Sequence, residues 1–254
     1  MSLDKALRAF AAEVETGAPW PRPRCPTCDD GHIGFGQPDR SEAGLSLAER
    51  DRPDLEPEWI HGTFTLRGEC ENPQCKQLML ASGTWRVRSS RQSLHSHSYQ
   101  GNEYNEFHRV ESMYPSPMIM PVPKAAPPAV AQAVSRASRV LITDPGLAAT
   151  ALRSAVELFL TAEGVAGLSR EGKFRNLDRR IKDWKASDAR RTAVADLLLA
   201  VKWLGNKGTH EDSKLELTDV LEGAELLDEA FHRTYAGPDL DAQARRVIDK
   251  HGTH

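Results

Sequence analysis

The 254-residue chain contains no apolar run long enough to cross a bilayer. Its first residues, Met1-Ser2-Leu3-Asp4-Lys5, lack the charged-then-apolar layout of a secretory signal, so the expectation is a cytoplasmic protein with no membrane partner. Cysteine is scarce: there are four, all in the N-terminal half. A strong excess of either charge is missing too, and a net charge of −3 argues against a general nucleic-acid coat. What remains, 39% apolar and 27% charged residues, is enough to build a core. The length favours two folding units.

Charge is unevenly spread. Between Arg170 and Arg191 stand nine Lys or Arg against four Asp or Glu, whereas Glu211 to Glu229 holds eight acids and one lysine. A basic and an acidic helix could pair with each other, or the basic face, with Lys173, Arg179 and Arg180, could bind RNA or DNA.

Helical spacing of Leu3, Leu7, Phe10, Ala11 and Val14 predicts a leading helix within 1–19, ended by Gly17, Pro19, Pro21 and Pro23. From Cys25 to about Arg91 the pattern changes to turns and strands, with β-type residues at Trp59–Leu66 and Leu78–Val87. Asp39–Pro57 reads as a polar inserted loop, and Ser89–Asn105 as a boundary segment. Six prolines between Tyr114 and Pro128 predict a semi-rigid connector, 113–127, lying against a domain surface.

From residue 128 the chain reads as helical. Expected helices cover Ala129–Ile142, then Asp144-capped Pro145 to about Glu163, Lys173–Trp184, Asp188 to the Leu204 region, and Leu215–Tyr235, with a polar tail helix in 237–254. The fold class is α+β, mainly α. A small β module at 20–112 precedes an all-α bundle at 128–236.

Cys25-Pro-Thr-Cys28 and Cys70-Glu-Asn-Pro-Gln-Cys75 form two close pairs 41 residues apart. Such paired turns fit tetrahedral zinc, each aiming backbone amides at its thiolates. A disulfide reading lacks an export signal, and a redox Cys-x-x-Cys reading leaves the second pair unexplained. The expectation is one structural Zn2+ held by Cys25, Cys28, Cys70 and Cys75, with no open position for catalysis. Beyond the second pair, Arg86 and Arg88 share one strand face that either grips phosphate or protects an edge strand from aggregation.

The stretch Lys202-Trp-Leu-Gly-Asn-Lys-Gly-Thr-His210 is poor helix material. Lys202, Asn206 and His210 at i, i+4 and i+8 fall on one helical face, offering a base, an amide and an imidazole. Gly205 and Gly208 ask for close backbone approach or a helix end, with Gly208 a candidate left-handed C′ residue. Upstream, Arg153 and Glu157 at i and i+4 predict an organising ion pair.

Tyr114-Pro-Ser-Pro, Ala151-Leu-Arg-Ser-Ala-Val-Glu157 and Leu204-Gly-Asn-Lys-Gly-Thr-His210, in that order, resemble the domain of unknown function 4145 family over roughly residues 113 to 236. Those bacterial proteins are often led by a zinc-ribbon-like segment, and they look related to HEPN helical bundles. The resemblance implies a homodimer with a basic cleft. It also implies an RNase-like motif in which an arginine precedes the histidine by four to six intervening residues; here those positions are Trp203, Leu204 and Gly205, so the arginine is missing. Only Lys202, Lys207 or Arg153 remain to stabilise a phosphorane beside His210. The functional expectation is a non-catalytic nucleic-acid or nucleotide recognition module in a defence or regulatory system. The alternatives are a metal-independent ribonuclease using His210 with a lysine for the arginine, and a dimerisation scaffold.

Overall fold

The computed structural model describes residues 5–28, 30–89, 104–169, 171–209, 214–236 and 240–252. Its N-terminal part is a curled antiparallel half-barrel carrying the four cysteines, and its C-terminal part is a helical region of about five helices.

Six strands build the sheet: β1 (Val14–Glu15), β2 (Ile33–Phe35), β3 (Asp39–Glu42), β4 (His61–Cys70), β5 (Leu78–Ser89) and β6 (Tyr104–Tyr114), in the order β1-β6-β5-β4-β2, with β3 also on β4. Strict alternation drives β4: Phe64, Leu66 and Cys70 point inward while Thr63, Thr65 and Arg67 face out. The edge chain runs antiparallel along β4 from Ile33↔Cys70 to Glu42↔Gly62 and slips by one residue around Gly36-Gln-Pro38. A second irregularity, at Ser82/Gly83, leaves Glu111 of β6 as the extra residue, and Thr84 Oγ1 donates to its carboxylate over 2.9 Å. Bulges of this kind increase local twist and curl the sheet.

Several expectations change here. The leading helix is short, α1 (Lys5–Ala9), and Val14 sits in a strand paired with His108 of β6, a long-range contact that overrides its helical spacing. The expected loop at 39–57 contains β3 and a short helix, α2 (Gly44–Glu49). Polar Asp39–Glu42 still forms a strand because it is an edge: three of its residues are exposed and the ladder supplies the pairing. Of the boundary segment, 90–103 lies outside the described residues, and Tyr104–Tyr114, not anticipated as a strand, pairs along nearly all of β5.

The helices are α3 (Pro128–Val140), α4 (Pro145–Ala162), α5 (Leu177–Ala186), α6 (Thr192–Lys207), α7 (Leu217–Phe231) and α8 (Leu240–His251). Asp144 caps α4 as predicted, its carboxylate accepting from Leu147 N at 2.9 Å. α5 begins four residues later than its apolar spacing suggests, because Asn176 caps it, and Phe174 is left exposed. At the centre, the Phe159 ring stands 5.4 Å from Trp184, 5.7 Å from Phe231 and 5.9 Å from Tyr235.

The proline connector lies on the helical part as predicted: Ile119 and Met120 are buried, and Ile119 N donates to Ser138 Oγ at 3.1 Å. α1 ties the two parts together through buried Leu7 and through Arg8, which pairs with Glu225 of α7 at 2.8 Å. Glu225 and Glu229 of α7 are thus engaged by Arg8 and Arg233, while Lys182 and Lys185 of α5 take Asp178 and Asp196, and Arg175, just ahead of α5, takes Asp183. No helix is long and apolar enough to cross a membrane among the described residues.

Candidate functional site

The two cysteine turns meet at one end of the sheet. Cys25 and Cys28 stand before β2, Cys70 ends β4 and Cys75 precedes β5, so the β2/β4 pairing and the β4–β5 turn bring both pairs together. All four Sγ atoms lie within 4.8 Å of one another; Cys25 and Cys75 are 3.7 Å apart, Cys28 and Cys70 3.6 Å. A tetrahedron with Zn–S bonds of about 2.3 Å has edges of roughly 3.8 Å, so the donor set fits one ion such as zinc.

Local sequence builds the geometry. Thr27 N donates to Cys25 Sγ at 3.4 Å, and Asn72 Nδ2 to Cys28 Sγ at 3.8 Å. Asn72 also closes its own turn, accepting from Gln74 N on its side chain and from Cys75 N on its carbonyl. Gly31 must be glycine: a Cβ there would lie 2.3 Å from Cys70 Sγ. Burial pushes the Cys70 thiol up to about 12. Burial alone would raise Cys25 as well, but hydrogen bonds from the Thr27 and Cys28 amides, together with those from Cys70 and Cys75, outweigh it and bring that thiol below its ordinary value. Four sulfurs gathered this closely are a donor set for one cation such as zinc.

At the other candidate site, α6 ends at Lys207, so the helical stacking expected to reach His210 stops short, and His210 lies outside the described residues. Lys202 is buried rather than presented to solvent. Its ammonium pairs with Asp178 at 3.1 Å and lies 3.9 Å from the Trp203 ring centroid. Hydrogen bonds from Lys182 and then Lys202 hold the Asp178 carboxyl below the usual carboxylate range. Asn206 is half-buried, and its carbonyl accepts from Thr209 N and Oγ1.

The glycines of this stretch serve a helix crossing. A Cβ on Gly205 would lie 2.4 Å from Arg153 Cβ and 3.0 Å from Ala149 O, and one on Gly208 would lie 2.3 Å from Gly146 O. α6 therefore lies backbone-close on the start of α4. Gly208 itself has an ordinary right-handed φ of −63, so its small size, not a left-handed cap, is what the position uses. The Arg153–Glu157 pair forms at 3.4 Å.

The expected nucleic-acid cations separate into two groups. Arg180 is buried and donates to Val165 O, Glu157 O and Thr161 Oγ1, so it fastens α5 to the end of α4 instead of facing solvent. Burial lowers its affinity for the proton. Arg86 and Arg88 share a face as predicted, yet β5 is a central strand, and the buried carboxylate of Glu13 holds both, at 2.8 and 3.0 Å. Lys173 is exposed and pairs with its neighbour Glu171; Arg179 is exposed on α5.

A further feature escaped the sequence reading. A cavity of about 580 Å³ opens between the Glu15–Arg22 segment and β2, lined by Trp20, Arg22, Phe35, Arg40, Glu71 and His108 among others. His108 is 2% exposed; its ring meets Trp20 at 5.7 Å and Phe64 at 5.1 Å, Nδ1 is 3.4 Å from Val14 O, and Nε2 has no hydrogen-bond partner in the protein. Burial, aided by the charge of Arg40, holds this imidazole below its ordinary value. The cavity unites residues from positions 15 to 108, and no local motif marks it.

Four clustered cysteines on a curled sheet, followed by a helical region, define a two-part chain with a metal-ready centre. The family model described as domain of unknown function (DUF4145) matches residues 135–250, and that described as domain of unknown function (DUF8608) matches 15–113. Neither the curated proteins nor the solved structures yield a match to the chain.

Proposed function

We propose that this chain is a non-catalytic recognition module: a zinc-ribbon-like β unit and a HEPN-like bundle that binds nucleic acid or a nucleotide, as a cytoplasmic homodimer in a defence or regulatory system. One observation carries the non-catalytic part. Two of the three candidate cations already face carboxylates, Lys202 at Asp178 and Arg153 at Glu157, so most of the charge a phosphorane requires is committed elsewhere. Support for binding comes from the outer side of α5 and the loop before it, where Arg179 and Lys173 reach solvent.

A specific contact favours a second reading, the metal-independent ribonuclease. The stem of Arg153 packs on Gly205, one of the positions where the RNase-like motif carries its arginine, so a neighbouring helix brings a guanidinium to the flank left open by the glycine. In this reading Arg153 stabilises the phosphorane and His210 exchanges the proton.

Fluorescence anisotropy of the zinc-loaded chain with labelled single-stranded RNA tests the proposal. Binding that weakens as salt rises from 50 to 200 mM, and weakens further in Lys173→Glu/Arg179→Glu, is the expected result. Salt-independent absence of binding overturns it and leaves the dimerisation scaffold; RNA cleavage that disappears in His210→Ala replaces it with the ribonuclease.

A further inference from the structure

The cavity beside β2 combines flat apolar walls with hydrogen-bonding groups of both kinds. Trp20 and Phe35 are half-buried, leaving part of each ring to a ligand. His108 supplies a lone pair. Its Nδ1 faces the Val14 carbonyl, which can only accept, so the proton sits on Nδ1 and Nε2 is a bare acceptor. Arg22 and Arg40 add donors, while Glu15 and Glu71 add acceptors.

Charge narrows the occupant. Arg22 pairs with Glu71, and Arg40 with Glu106, so the wall is polar yet balanced and gives no premium to an anion. The volume, about 580 Å³, falls within the roughly 300–1,000 Å³ typical of small-molecule sites. An occupant must therefore be flat, neutral and able to donate to Nε2 while also accepting from a guanidinium. An indole or phenol side chain offers a single polar group at its edge. The edge of a nucleobase carries donors and acceptors side by side, and its face stacks on aromatic rings.

We infer that this cavity is a binding site for one unpaired nucleobase, whose N–H edge donates to His108 Nε2 and whose face packs against Trp20. The inference rests on the recognition reading above and gives it a pocket distinct from the α5 cations. The metal centre braces this pocket: Arg22 lies three residues before Cys25, and Glu71 follows Cys70, so the ion pair across the wall hangs on two ligand turns. The base can come from a free nucleoside or from a single strand, and the same experiment separates the two sources.

Isothermal titration of the zinc-loaded full chain with adenosine, cytidine, guanosine and uridine is the direct test. At least one nucleoside should bind with 1:1 stoichiometry. His108→Phe, which keeps a ring but removes the acceptor, should weaken binding roughly tenfold or more, and His108→Gln, which restores an acceptor, should recover much of it. Zinc content and melting profile establish that the variants are folded. If His108→Phe fails that check, Trp20→Leu carries the test, with a loss of roughly tenfold expected from lost stacking. Competition between the bound nucleoside and labelled single-stranded RNA in anisotropy assigns the base to a strand; nucleoside binding without competition assigns it to a free nucleoside. Absence of nucleoside binding to the wild type, or unchanged affinity in folded variants, overturns the inference. Salt-dependent RNA binding that persists beside such a failure leaves the recognition reading standing, whereas loss of both removes both.

Discussion

Replacing Gly205 with alanine sets two effects of opposite sign against each other. Within a helix the substitution is worth about 1 kcal/mol in favour of folding, because alanine loses less backbone entropy than glycine. The structure opposes this. The added Cβ would lie 2.4 Å from Arg153 Cβ and 3.0 Å from Ala149 O, both fixed by the backbone of α4, where no rotamer change gives relief. Carbon atoms in contact settle at about 3.5–4.0 Å, so α4 and α6 must part by roughly 1 Å. They cannot part freely, since Gly208 and Gly146 meet backbone to backbone nearby. Overpacking of this kind costs about 1–3 kcal/mol before relaxation, and a closure that involves two backbones belongs at the upper end. The net expectation is a loss of about 1–2 kcal/mol, equivalent to a melting midpoint lower by roughly 2–8 °C for a chain of this length. Thermal melts followed by near-ultraviolet circular dichroism on the zinc-loaded chain measure it. A midpoint equal to or above wild type would show that the glycine serves no close crossing and would refute the reasoning.

The remaining predictions address the metal centre, the buried guanidinium and the buried imidazole. Metal analysis of the purified chain should find about one zinc per chain, and Cys70→Ser should release it and lower the melting temperature of the β unit; a folded wild type without metal contradicts the site. Arg180→Met should destabilise the helical part by about 1–3 kcal/mol, because Val165 O, Glu157 O and Thr161 Oγ1 lose their donor, and an unchanged urea midpoint would place Arg180 back in solvent. For His108 the folded-state proton affinity is depressed, so the unfolded chain binds the proton more readily. Its contribution to stability is fully present above the unfolded value of about 6.5 and is lost as pH falls through the lower folded value. Urea midpoints between pH 8 and 5 should therefore fall less steeply in His108→Phe than in wild type; parallel curves would show that the imidazole is not held neutral.

Local chemistry made much of this legible. The cysteine turns, the Asp144 cap and the Arg153–Glu157 pair each depend on residues within a few positions of one another, and the structure forms all three. Gly205 and Gly208 announced a close approach, but their partners, Arg153 and Ala149 for the first and Gly146 for the second, lie on another helix and could not be named in advance. Arg180 was misplaced for a reason visible in hindsight: it sits three residues after Leu177 and one before Ile181, inside the buried stripe of α5, where a charged side chain must find backbone acceptors. β6 was hidden because its alternation is broken, with Phe107 and His108 both buried and Glu111 an extra residue. β1 was hidden because two residues of strand carry no periodicity of their own and pairing of Val14 with His108 joins residues far apart in the chain. The cavity was hidden for the same reason, its walls arriving from four separate segments. His210, which the motif reading placed at its centre, lies outside the described residues.

The account holds that the chain binds nucleic acid and leaves it intact. The most direct measurement follows both events in one sample: zinc-loaded protein is incubated with end-labelled single-stranded RNA at low salt, complex formation is read by anisotropy, and the RNA is then run on a denaturing gel. The account predicts a saturable anisotropy rise with full-length RNA recovered, unchanged in His210→Ala. Shortened RNA from the wild type and intact RNA from His210→Ala would contradict it.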